Sequence, residues 1–271
     1  MAGGGAPDPE YVTARRVLLA ALDAIGPHRK AVVLVGAQAI YLRAGEIDLA
    51  VAPHTTDGDL AIDPRRLEDE PNLAATLRAA GFELAVRPGT WTLAATGVCI
   101  DFLVPAALGG SGRRGARLGP HGSEVARKVT GLEAAVVDHS LLRIEALEPG
   151  DIRAFDLAVA GTAALLVAKL HKIGERRNDT SRLQDKDALD VLRILRHGTP
   201  GELAASLARL ATDPLAESVT RAARELLAEL FAQRDAAGSV MAARSSAGLV
   251  DEEQIAISCE VLASDLLSRW R

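Results

Sequence analysis

The chain reads as an α+β fold: an N-terminal mixed β-sheet carrying helices, followed by a C-terminal helical bundle. Three observations predict this. Residues 32–63, VVLVGAQAIYLRAGEIDLAVAPHTTDGDLAID, read as strand, tight Gly turn, helix and second strand. Further short strand-like runs follow up to about residue 104. From residue 160 onward every apolar pattern has the three- and four-residue spacing of amphipathic helices. The expected division is a flexible tail at 1–7, an α/β domain at 8–158 and a helical domain at 159–271.

Each element has a local reason. Asp8-Pro9-Glu10 is a helix start: a capping side chain, a proline in the first turn and an acid at the positive helix end. That helix is expected to run to Ile25 and stop at Gly26-Pro27. A buried strand is expected at 31–35, then a short helix at 37–44 closed by Gly45. A strand at 57–62 precedes a helix at 72–80 that stops at Gly81. Strands near 82–86, 91–95 and 98–104 complete a mixed sheet. Residues 105–124, PAALGGSGRRGARLGPHGSE, hold many glycines and no periodicity, so they are expected to form a mobile loop. Strands near 134–147 and 152–158 come next. Helices are expected at 160–176, 183–196, 201–211, 215–234 and 251–270.

At 271 residues the chain can bury a proper core. Its formal net charge of −5 gives no global attraction to nucleic acid, so an RNA partner would need a local basic patch. Its two cysteines, Cys99 and Cys259, read as thiols in a reducing compartment. No apolar run is long enough to cross a membrane. The opening MAGGGAPDPE has no apolar core of a secretion signal. The expectation is a cytoplasmic chain with no membrane partner. The glycines of 105–124 are not a phosphate-binding P-loop, because no Gly-Lys-Ser/Thr follows them. His54, His121, His139, His171 and His197 lack metal-ligand spacing, and no Ser/His/Asp elbow is present.

Asp57 and Asp59 stand at i and i+2 on an expected strand, so they share a face, roughly 6–7 Å apart along the chain. Two adjacent carboxylates are costly unless a cation lies between them, and Mg²⁺ takes such hard oxygen ligands. Asp101, in VCIDFLV, is the third acid, with Ile100 and Phe102 turned to the opposite face. Three carboxylates beside a Gly turn that opens a helix point to metal-assisted phosphoryl or nucleotidyl transfer. The rival reading of Thr-Thr-Asp-Gly-Asp is ordinary turn chemistry. Gly36 and Ala37 either present helix N-terminal N–H groups to phosphates or simply make a tight turn. Lys169, Lys172 and Arg176 recur at i, i+3 and i+7, one helix face, anchored by the preceding apolar run 163–167. Lys186-Asp187 and Asp190 begin the next helix. Arg113, Arg114, Arg117, Arg127 and Lys128 form a basic segment, read either as a solvated loop or as an arm for a nucleic-acid backbone.

These motifs resemble the nucleotidyltransferase superfamily with the DNA polymerase β-like fold. The match is Val35-Gly36-Ala37 followed by Thr56-Asp57-Gly58-Asp59-Leu60, with Ala37 where the family usually has Gly or Ser. The stretch 168–193, AKLHKIGERRNDTSRLQDKDALDVLR, is similar to the signature of AbiEii-type toxin nucleotidyltransferases. The resemblance implies a catalytic domain at 8–158 and transfer of a nucleoside monophosphate from an NTP co-substrate to an acceptor hydroxyl. It implies two Mg²⁺ ions on Asp57, Asp59 and Asp101. Gly36, Ala37, Thr56, Lys169, Lys172 and Asp190 would hold the nucleotide. Lys169 would bind the triphosphate, with Lys172 as its rival, oriented by Asp187 and Asp190. It further implies a tRNA 3′ end as acceptor and a cognate antitoxin as partner. Two rivals stay open: transfer to a small molecule or protein side chain, and a non-catalytic binding protein that kept the fold.

Overall fold

The N-terminal helix α1 spans Pro9–Ile25 in the computed structural model, which describes residues 8–44, 55–177 and 184–270. The Asp8 side chain accepts from the Glu10 and Tyr11 N–H groups, as its sequence predicts. Gly26-Pro27 ends the α-helix but does not end helical winding: a 3-10 segment Gly26–Ala31 follows. Strand β1 is Val32–Val35, fully buried, and helix α2 is Gly36–Ala44. Strand β2 is Asp57–Ile62 and helix α3 is Leu73–Ala79. Gly81 follows with φ 84°, the left-handed conformation that ends a helix at little steric cost. Strands β3 (Phe82–Leu84), β4 (Thr90–Leu93) and β5 (Cys99–Pro105) follow. The expected tail at 1–7, Gly45 and His54 lie outside the described residues.

A short strand, β6 (Arg127–Val129), has no counterpart in the sequence reading. Strands β7 (His139–Glu145) and β8 (Ala154–Ala160) follow, the first starting five residues later than expected because 130–138 is a run of turns. The eight strands form one mixed sheet in the order β3-β4-β5-β2-β1-β8-β7, with β6 paired to β5. β1 and β2 are antiparallel, β2 and β5 parallel, and β1 and β8 parallel. The glycine-rich segment is not the free loop that its composition suggests. Ala116, Leu118 and His121 are buried, and the Ala116 and Lys128 amides bond to Ala126 and Arg114.

The remaining helices are α4 (Thr162–Arg176), α5 (Asp185–Arg196), α6 (Pro200–Leu210), α7 (Glu217–Phe231), α8 (Ala237–Ser245) and α9 (Glu252–Arg269). Helix α8 was not foreseen, since its Gly and Ser residues mask the periodicity; Gly238 and Ser239 are buried in its first turn. Two compact units emerge. One holds 1–38, 52–129 and 140–159 and carries the sheet, with α1 and α3 packed together. The other holds 39–51, 130–139 and 160–271, with α4 against α5, α6 and α7, and α9 against α6, α7 and α8. A single cut after residue 158 therefore leaves 39–44 and 130–139 on the sheet side, whereas they group with the helices. Among the described residues no helix is long and apolar enough to cross a membrane.

Candidate functional site

Strand β2 changes character along its length. Half-buried Asp57 and Asp59 alternate with buried Gly58 and Leu60, after which Ala61 and Ile62 are buried too. The strand thus presents its acids on one face at one end and is enclosed at the other. Parallel β5 places Asp101 in register with Asp59, and Cys99 with Asp57. Neighbouring strands lie about 4.8 Å apart with paired side chains on one face, so Asp59 and Asp101 are neighbours. On the other side Val35 is the register partner of Asp59. The next residue, Gly36, has φ 71°, and a Cβ there would overlap the Asp59 carboxylate. Glycine is therefore required at position 36 for both backbone and space.

The acid face is braced from below. Buried Thr55 donates its hydroxyl to Asp57 Oδ1 at 2.8 Å. Gln38, buried in α2, donates from Nε2 to the Asp57 carbonyl at 3.0 Å. Its Oε1 accepts from Arg15 Nε of α1, also at 3.0 Å. Arg15 continues to the Glu145 carbonyl and the Tyr11 hydroxyl. Thr56, assigned to nucleotide binding by resemblance, is exposed and follows Thr55 at the mouth of the strand. The threonine that touches Asp57 is thus its neighbour. A hydroxyl two residues before an acid is a local signal and could have been read; the Arg15–Gln38 brace has no such signal.

Asp101 lies on an interior strand: β5 is between β2 and β4, and Thr90 is its partner on β4. Its carboxylate is also engaged. Arg127 Nη2 donates to Oδ2, and the Thr90 hydroxyl donates to Oδ1 at 2.6 Å. Burial alone would raise this acid. The Arg127 hydrogen bond and charge, joined by Thr90 and Arg87, outweigh it and hold the carboxyl below its ordinary value. Asp101 is therefore held as a carboxylate, with each of its oxygens accepting a hydrogen bond from a protein side chain. Arg127, expected in a basic loop segment, is instead buried, with its Nε lacking a hydrogen-bond partner. Gly89 permits this approach: a Cβ there would meet the Arg127 backbone nitrogen at 2.7 Å.

The second cluster lies in the helical unit. Lys169 Nζ of α4 is 2.7 Å from both Asp187 Oδ1 and Asp190 Oδ2 of α5. Lys172 Nζ reaches the same Asp187 oxygen at 2.9 Å, and Arg176 lies 3.6 Å from its other oxygen. The i, i+3, i+7 face read from sequence is thus a real face, and Asp187 is its focus. Burial favours the neutral amine of Lys169, but the Asp190 and Asp187 charges outweigh it and raise its pKa. Burial likewise pushes Asp187 up, and Lys169 and Lys172 outweigh it and hold Asp187 well below the ordinary carboxylate range. Lys169 is 7% exposed and two of its three N–H groups serve these acids. Lys172, at 32%, is the more accessible ammonium.

Arg113, Arg114 and Arg117 are exposed, as a solvated basic loop requires. Among the described residues no group of three or more His, Cys, Asp or Glu side chains is arranged to hold a metal ion. Asp57 and Asp59 still fit a hard divalent cation, because Mg²⁺ is commonly held by one or two carboxylates with the rest of its shell from water and phosphates. Comparison with family models, curated proteins and solved structures finds no match to this chain.

Proposed function

We propose that this chain is a Mg²⁺-dependent nucleotidyltransferase, with Asp57 and Asp59 as its metal ligands. One observation carries the reading: a strand that projects two carboxylates on one face, beside a turn where only glycine fits against Asp59. The mixed sheet, with β2 antiparallel to β1 and parallel to β5, is in keeping with the family fold that the motifs resemble. The bound cation would supply charge neutralisation for the triphosphate and the leaving pyrophosphate. In the reaction the acceptor oxygen bonds to the α-phosphorus, the bond to pyrophosphate breaks, and the hydroxyl proton is lost to solvent. Thr55, Gln38 and Arg15 hold Asp57 in place. The N–H groups of Gly36 and Ala37 open α2, where a helix N-terminus favours phosphate. Nucleotide roles for Lys169 and Lys172 are proposed from the resemblance alone, as are a tRNA 3′ end as acceptor and an antitoxin partner. The exposed arginines at 113, 114 and 117 favour an RNA acceptor over a small molecule.

The test is transfer of label from α-labelled NTPs to total RNA, with Mg²⁺ or with chelator. Transfer is expected with Mg²⁺ only, and loss of at least about 100-fold in Asp57→Asn and Asp59→Asn, since both would bind the cation directly. Metal-independent transfer, or full activity in both variants, would sink the reading. Label moving only to a small hydroxyl compound would replace the RNA acceptor.

A further inference from the structure

Resting on the nucleotidyltransferase reading, we infer that Arg127 substitutes for a second metal ion: its guanidinium fixes Asp101 as a charge-neutral pair, leaving one divalent-cation site at Asp57 and Asp59.

The resemblance alone implies three carboxylates sharing two ions. The side chains of this chain are arranged otherwise. Asp101 is next to Asp59 across the β2–β5 pair. Both of its oxygens are already bonded, Oδ2 to Arg127 and Oδ1 to Thr90. This is not a loose surface contact. The side chains of Arg127 and Asp101 are 11% and 15% exposed. Arg127 is held at its own end by the strand: β6 pairs with β5 through Leu103↔Arg127, and the residue also bridges to Gly115. Its approach depends on Gly89, where any side chain would collide with the Arg127 backbone. The sequence thus spends a strand, a glycine and a buried arginine on holding one acid.

The electrostatic consequence is direct. An arginine keeps its charge at every accessible pH and cannot dissociate from the chain. A cation approaching Asp101 must either displace it, leaving a buried guanidinium without its counter-charge, or crowd a second positive charge against it at the same carboxylate, and both are unfavourable. The arginine therefore does permanently at Asp101 what an ion would do transiently. It reduces the repulsion between Asp101 and Asp59, and it removes Asp101 from the ligand set.

The experiment is Mn²⁺ binding to the whole chain without nucleotide, followed by electron paramagnetic resonance and calorimetry. The wild type is expected to bind one ion. Asp57→Asn and Asp59→Asn should each weaken binding at least about tenfold, whereas Asp101→Asn should leave it within about twofold, because the amide oxygen still accepts from Arg127 while the amide NH2 donates to the Thr90 hydroxyl. Arg127→Met should free Asp101 and tighten Mn²⁺ binding by about tenfold or more, and adding Asp101→Asn to it should cancel the gain. Asp101→Asn keeps the test decisive if Arg127→Met fails to fold. Two ions in the wild type, or a tenfold loss in Asp101→Asn, would overturn the role of Arg127 while leaving the metal site intact. Binding that ignores Asp57 and Asp59, or no binding in any protein, would overturn the metal site itself and this inference with it.

Discussion

Lys169 and Lys172 look interchangeable as letters, one helical turn apart on the same face. Their surroundings separate them. Lys169 is buried between two acids of α5, while Lys172 shares one of those acids from a more exposed position. Removing one partner of a buried pair leaves uncompensated charge, so Lys169→Ala should cost about 3–5 kcal/mol. Lys172→Ala should cost at most about 1 kcal/mol, since Lys169 still serves Asp187. Urea unfolding of the two variants checks this. Equal losses would mean that the burial difference carries no energy. The corollary bears on function: lost NTP binding in Lys169→Ala would report damage to α4 and α5, whereas lost NTP binding in a stably folded Lys172→Ala would report a direct contact.

Helices α4 and α5 meet through this same cluster, so their contact has a pH dependence with a defined sign. The folded pKa of Asp187 is depressed. Its contribution is therefore fully present above the unfolded aspartate value of about 3.9 and is lost as pH falls through the lower native value. The folded pKa of Lys169 is raised. Its contribution is present below the unfolded lysine value of about 10.4 and is lost as pH rises through the higher native value. The contact is thus undiminished across the neutral range. Asp187→Asn should be clearly less stable than the wild type at neutral pH, and the gap should close as pH falls below about 4. A gap that stays constant from neutral to acid pH would show that the carboxylate charge is not what holds these helices. Helix α6 shows how far an element can be specified locally: Thr199 and Glu202 cap each other reciprocally, with Pro200 in the first turn. Helix α8 has no such marks, and its buried face is set by the helices α5, α7 and α9 that it packs against.

At the scale of the molecule, the two thiols report on the two units separately. Cys259 of α9 is fully buried, and burial pushes its pKa up to about 12 against the pull of Arg196 and Ser239. Cys99 of β5 is half-buried beside Thr92. A thiol reagent should therefore modify Cys99 in the native chain and Cys259 only after denaturant is added; fast native reaction of Cys259 would contradict the packing of α9. The sequence by itself determined what the chain's local periods encode. Alternation put Asp57 and Asp59 on one face, helical spacing put Lys169, Lys172 and Arg176 on another, and glycine marked the turn at position 36. These follow from geometry within a few residues of backbone. Tertiary structure decided which groups those faces meet. Arg127 reaches Asp101 across 26 residues, Gln38 links Arg15 to Asp57, and β8 lies parallel to β1. Segments 39–44 and 130–139 group with the helices despite their place in the chain. No local pattern encodes such pairings, because they depend on which buried surfaces close against each other once the strands are ordered, and that order is a property of the whole sheet.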